Sequence, residues 1–148
     1  MATYTQILYQ VVFSTKYRAK TLLKENRERL FAYMAQIIIN RKCFVYAVGG
    51  IEDHVHLVFE LHRSVALADV VKAVKVGSSF FIKQENLFPD FQAWQEGYGA
   101  FTYSAEAKEN LIKYVQNQEQ HHQKISPRSE LLALLKRHQV PNKEEEVE

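Results

Sequence analysis

Apolar residues in this chain repeat first at every second position and then at every third or fourth. Between Tyr4 and Thr15, Ile7, Tyr9, Val11 and Phe13 share one parity while Gln6, Gln10 and Ser14 hold the other, the alternation of a half-buried strand. From Leu23 the apolar positions become Leu23, Leu30, Phe31, Met34, Ile37 and Ile38, which predicts an amphipathic helix ending near Asn40. Two β-rich runs follow, Cys43 to Ile51 and Val55 to Leu61, and the short link Glu52-Asp53-His54 between them favours an antiparallel hairpin. Helical spacing returns with Leu67, Val70, Val71, Val74 and Phe81. The segment 86–99, with Pro89, Gly97 and Gly99, reads as a loop, and Ala100 to Tyr103 reads as a fourth strand. Ser104 is placed to cap a third helix from about Ala105 to Gln123, and Ser126-Pro127 opens a last helix that stops before Pro141. Strands that pair antiparallel beside packed helices make an α+β protein, and the first six elements match the split βαβ of ferredoxin-like folds.

A chain of 148 residues supports one core, so residues 1–140 are expected to form a single domain, with 141–148 as an acidic, disordered tail. Cys43 is the only cysteine, which rules out an intrachain disulfide and a cysteine-rich zinc module. No apolar run approaches the roughly 20 residues of a membrane span, and Met1 to Gln6 lacks the start of a signal peptide, so a cytoplasmic protein is expected. The net charge of +2 conceals an asymmetry, because four of the 17 acidic residues are glutamates in the last five positions. Within Lys16 to Lys42 eight basic residues stand against Glu25 and Glu28, a distribution that attracts polyanions and that also describes a solvated helix face with its flanking loops.

Two clusters carry chemistry. In Asp53-His54-Val55-His56-Leu57 the histidines are two apart on a strand, so both project from one face while Val55 and Leu57 point to the other. Paired imidazoles on a rigid strand can converge on a divalent metal, although the spacing alone equally describes a polar surface face. In Tyr114-Val115-Gln116-Asn117-Gln118, the tyrosine and Gln118 are four apart on one helical face. A phenol, with its pKa of about 10, attacks phosphorus only with help from a metal and in-line geometry, and the amide oxygen of Gln118 can extend a two-histidine metal shell.

Taken together, these clusters resemble the HUH endonucleases, and within them the small single-tyrosine transposases of bacterial insertion sequences. The resemblance rests on four blocks in order: Val12 to Arg18, Gly49 to Leu57, Trp94 to Phe101 and Tyr114 to His122. It implies a ferredoxin-like domain that binds single-stranded DNA folded into hairpins, requires Mg²⁺ or Mn²⁺, and cuts and rejoins the strand through a 5′-phosphotyrosine. His54, His56 and Gln118 then match the metal ligands and Tyr114 the nucleophile, in a homodimer whose subunits can share active sites. Some relatives carry glycines before the tyrosine helix where this chain has Ser104-Ala105, which leaves open whether Tyr114 acts in cis or in trans. Lys16, Arg18, Lys72 and Lys75 are candidate DNA-backbone contacts, Trp94 and Tyr98 candidate base-stacking residues, and His121 a peripheral candidate at the site. Two other readings fit the same residues: a domesticated relative that processes chromosomal repeats, and a non-catalytic module that binds single-stranded DNA.

Overall fold

The computed structural model describes residues 1–147; Glu148, the end of the expected acidic tail, lies outside the described residues. Four strands, β1 (Leu8–Ser14), β2 (Phe44–Gly50), β3 (His54–Glu60) and β4 (Gly99–Tyr103), form one antiparallel sheet in the order β2-β3-β1-β4. Helix α1 (Lys24–Asn40) joins β1 to β2, and α2 (Leu67–Gln84) joins β3 to β4. Each helical crossover skips one strand, which is the ferredoxin-like arrangement expected from the order of periods. No helix among the described residues is long and apolar enough to cross a membrane.

The sheet has two covered faces, and this departs from the half-buried strand expected of residues 4–15. On one face Val11, Phe13, Val55, Leu57 and Phe59 meet Leu30, Met34 and Ile38 of α1 and Val70, Val71 and Val74 of α2. The other face carries Leu8, Val12 and Val58, but also Gln10, Ser14, His54 and His56, all of them buried. It is covered by α3 (Lys108–Gln116) through Leu111 and Val115, and by α5 (Pro127–Arg137) through Leu134. α3 lies directly on the strand backbone: a Cβ on Gly49 would come 2.4 Å from the Val115 carbonyl oxygen. Only glycine permits that approach, so Gly49 sets the depth at which the tyrosine-bearing helix sits.

The expected third helix is not continuous. After a short 3₁₀ turn at Ala105–Ala107, α3 ends at Gln116, Asn117 adopts φ −103° and ψ 26°, and a separate turn, α4 (Gln118–His121), follows. Between Val115 and Ile125 the sequence has no apolar residue to hold a helical stripe against the sheet, and asparagine is a weak helix former, so the chain bends there. Ser104 makes no side-chain cap bond. Ser126, in contrast, caps α5 as its sequence predicts, accepting the backbone N–H of Ser129 at 3.2 Å with Pro127 in the first turn.

Candidate active site

β3 delivers His54 and His56 to the α3–α5 side of the sheet, as their spacing requires, and the covering helices bury both. Their Nδ1 atoms are held from the sheet side. His54 Nδ1 lies 2.8 Å from Asp53 Oδ1, and His56 Nδ1 lies 2.7 Å from Gln10 Oε1. Gln10 is itself oriented, because its Nε2 donates to the Tyr103 hydroxyl at 2.6 Å. With Nδ1 engaged in this way, both rings turn Nε2 toward the helices.

There the two Nε2 atoms meet a residue that the sequence reading did not single out, Glu130 in the first turn of α5, whose side chain is 4% exposed. Its Oε1 stands 3.0 Å from His56 Nε2 and 3.5 Å from His54 Nε2. Its Oε2 accepts the hydroxyl of Tyr114 and, at 3.2 Å, the side-chain N–H of Gln118. The break at Asn117 turns Gln118 and His122 inward, so that Gln118 Oε1 lies 3.1 Å from His54 Nε2 and 2.9 Å from His122 Nε2. His122 Nε2 is also 3.2 Å from Glu130 Oε2. His121 reaches the rim: its Nε2 is 3.0 Å from the same oxygen but outside hydrogen-bonding geometry.

Burial alone would raise the Glu130 carboxyl, but hydrogen bonds from His122, His54 and His56 outweigh it and hold the group far below the usual carboxylate range. Burial would likewise depress His54, yet its bonds to Asp53 and Glu130 lift it to about 9. Burial dominates at His56, which falls to about 4 despite Glu130. Tyr114 is raised, first by burial and then by its bond to Glu130 and that group's charge, so the resting phenol is protonated. His54, His56, His122 and Glu130 each offer one donor atom, all within 4.8 Å of one another, and three imidazoles with a carboxylate form a donor set suited to a divalent cation.

Solvent reaches this centre through a cleft of ≈ 200 Å³ lined by Ser14, Arg18, His54, Tyr98 and Glu130, among others. At its edge Tyr17 and Arg18 carry φ of 60° and 52°, a left-handed turn that ordinary side chains disfavour. Lys16 is exposed beside Tyr17. Lys75 is committed to the loop that walls the cleft, donating to the carbonyls of Gln95 and Gly97 at 2.8 and 2.5 Å. Lys72 is exposed on α2, across the sheet from the histidines. Trp94 belongs to the core, donating to Ser78 Oγ at 2.9 Å and packing edge-on to Phe13, whereas Tyr98 is 43% exposed on the cleft wall. The structure thus gathers His54, His56, Tyr114, Gln118 and His121 at one carboxylate, with Arg18 in the approach, and leaves Lys72 apart.

Glu130 escaped the sequence reading because an acidic residue in a first helical turn is already explained by the helix dipole. His122 stands four residues after Gln118, the spacing that pairs Gln118 with Tyr114, but that helical face was followed only to His121. A further signal for the bend was the polar run from Gln116 to Gln120, which an amphipathic helix does not sustain.

Comparison with known proteins gives the family and the fold. The family model described as "Transposase IS200 like" matches residues 3–118. The ISDra2 transposase TnpA of Deinococcus radiodurans is 26% identical over 118 residues, covering 76% of this chain and 84% of that protein. Among solved structures, a crystal structure of a candidate transposase from Deinococcus radiodurans superposes with a TM-score of 0.62 at 24% identity, over 80% of this chain and 95% of the other. A REP-associated tyrosine transposase bound to a REP hairpin gives the same TM-score at 13% identity, over 84% of this chain and 76% of its own. At these identities the two structures are evidence of a shared fold.

Proposed function

Because this chain belongs to the IS200-like transposases, we propose that it cuts and rejoins single-stranded DNA at hairpin-bearing ends, with Tyr114 as nucleophile and a divalent cation, Mg²⁺ or Mn²⁺, held by His54, His56 and Gln118. The observation that carries this reading is the meeting of the Tyr114 hydroxyl with the two strand histidines around one carboxylate, Glu130, which with His54 also lines a cleft open to solvent. A cation bound there supplies charge withdrawal from a phosphate oxygen and stabilisation of the departing 3′-oxygen.

The chain's own residues account for the rest. Asp53 and Gln10 fix the two histidine rings, and Gly49 fixes α3 and with it Tyr114. Glu130 Oε2 accepts the phenolic hydrogen bond and so orients Tyr114 Oη; as Oη bonds to phosphorus and the bond to the 3′-oxygen breaks, the phenolic proton passes to solvent and the departing oxygen takes one up as a 3′-hydroxyl. The resulting phosphotyrosine conserves the energy of the phosphodiester, so a 3′-hydroxyl can later reseal the strand without ATP. Tyr114 and His56 belong to one chain here, with ring centroids 5.8 Å apart, which favours action in cis. The fold shared with a protein bound to a REP hairpin supports a hairpin as the DNA partner, and exposed Tyr98 is placed to stack on an unpaired base. Incubation with labelled hairpin DNA and Mn²⁺, followed by denaturing electrophoresis, tests the reading. A covalent protein–DNA band is expected, and its absence across a library of hairpin-bearing single strands would overturn it.

A further inference from the structure

Three histidines in this site are pinned in the same way. The Nδ1 of His54 faces the Asp53 carboxylate, that of His56 faces the Gln10 amide oxygen, and that of His122 faces the Ile125 carbonyl oxygen at 2.7 Å. All three partners are acceptors, so each Nδ1 carries a hydrogen and each Nε2 is left to face the covering helices. Those Nε2 atoms are aimed at oxygens: Glu130 Oε1 for His54 and His56, Gln118 Oε1 for His54 and His122, and Glu130 Oε2 for His122. Three ring nitrogens and three oxygens therefore converge on one buried point. A single divalent cation would satisfy every Nε2 at once. The spacings agree with this. Ligands about 2.1 Å from a common ion lie about 3 Å apart when adjacent and about 4.2 Å apart when opposite. The donor atoms here are separated by 3.0, 3.2 and 3.5 Å and all lie within 4.8 Å of one another.

We propose that His122 and Glu130 are ligands of the same cation as His54 and His56, so that metal binding clasps α5 onto the catalytic sheet. This rests on the metal site read above and extends it beyond the family match, which ends at residue 118. The ligands come from three separate pieces of chain: β3, the turn after α4, and α5. Apart from Glu130, α5 holds to this face through a small apolar cluster of Val12, Phe101 and Leu134, joined by Leu131 and Leu135. An ion bound to Glu130 ties that helix to the strand carrying the histidines.

Mn²⁺ alone, added to the full chain, tests this by isothermal titration and by hydrogen exchange. Wild type is expected to bind one Mn²⁺ and to gain amide protection in α5. Glu130→Gln, which keeps the side chain's shape, and His122→Ala should each lose about tenfold or more in Mn²⁺ affinity, and Glu130→Gln should lose the metal-dependent protection of α5. Glu130→Asp should recover part of both effects. If wild type binds and both variants bind equally well, the inference is overturned while the His54–His56 site survives. If wild type binds no Mn²⁺, both fall. Circular dichroism of each variant without metal separates lost ligation from lost fold, and should either variant fail to fold, the remaining one carries the comparison.

Discussion

Tyr114 donates its hydroxyl to Glu130, while its ring packs at the edge of the cluster formed by Leu8, Ala47, Val58, Leu111 and Val115. Tyr114→Phe therefore removes the nucleophile and one hydrogen bond and leaves the packing. It should bind hairpin DNA as wild type does and give no covalent band on a denaturing gel; a shifted band would exclude Tyr114. The two histidines and Gln118 should separate in kind. An amide oxygen is replaced by water more readily than an imidazole in the shell of a hard ion. Single-turnover cleavage by Gln118→Ala should thus be partly restored at high Mn²⁺, whereas His54→Ala and His56→Ala should remain inactive. Wild-type rates from both histidine variants would refute the metal assignment. These four residues were legible in the sequence because two-residue spacing on a strand and four-residue spacing on a helix each place side chains together without reference to the rest of the chain. Asp53, Gln10, His122 and Glu130 were not legible as a group. Gln10 and Glu130 reach His56 only through strand pairing and the fold-back of α5, which no local period encodes.

At the scale of elements, the switch in hydrophobic period gave the six elements of the sheet layer in the right order, because each must bury one stripe and the stripe writes its period into the chain. What it did not predict was the cover on the second sheet face. Gln10, Ser14 and the histidines look like a solvent face by polarity, and they are buried because their polar atoms find partners within the sheet, on α4 and α5, and on neighbouring loops rather than in water. The break at Asn117 has the same origin, since tertiary contacts of Gln118 and His122 replace a helical stripe. The close approach of α3 to β2 yields an element-scale prediction. Gly49→Ala sets a methyl group 2.4 Å from the Val115 carbonyl, a clash with backbone that cannot be relieved by a rotamer change. The variant should lose about 1–3 kcal/mol in urea denaturation. Because α3 must move away from β2, Tyr114 is displaced and adduct formation should fall more than DNA binding does. Unchanged stability would mean that α3 is not seated by this contact.

For the molecule as a whole, the sequence's basic cluster is only partly available to a ligand. Arg27 is buried, donating to the Leu22 carbonyl and to Glu119, and Arg29 pairs with Glu85 at 3.4 Å. Lys24 pairs with the same Glu119 at 3.3 Å, whereas Lys16, Lys20, Arg41 and Lys42 are exposed and Arg18 lines the cleft. Affinity for single-stranded DNA should fall steeply as salt rises, and should exceed that for a matched duplex; equal, salt-insensitive binding to both would exclude this electrostatic reading. The last expectation concerns which chain completes the site. Tyr114, Gln118, His122 and Glu130 meet His54 and His56 within one molecule, and the hydrogen bonds that hold them are intramolecular. Moving the tyrosine helix to a second subunit would have to break the Tyr114–Glu130 and Gln118–His54 contacts and lift α3 from the Gly49 backbone. No glycine hinge precedes α3, because Ser104 and Ala105 stand there. Mixing Tyr114→Phe with His56→Ala distinguishes the two arrangements. In cis every site lacks one essential group and no adduct forms, whereas in trans a mixed dimer rebuilds one complete site. We expect no complementation when the variants are mixed, including after they are unfolded and refolded together; recovery of the covalent band would show that the tyrosine of one subunit serves the histidines of another.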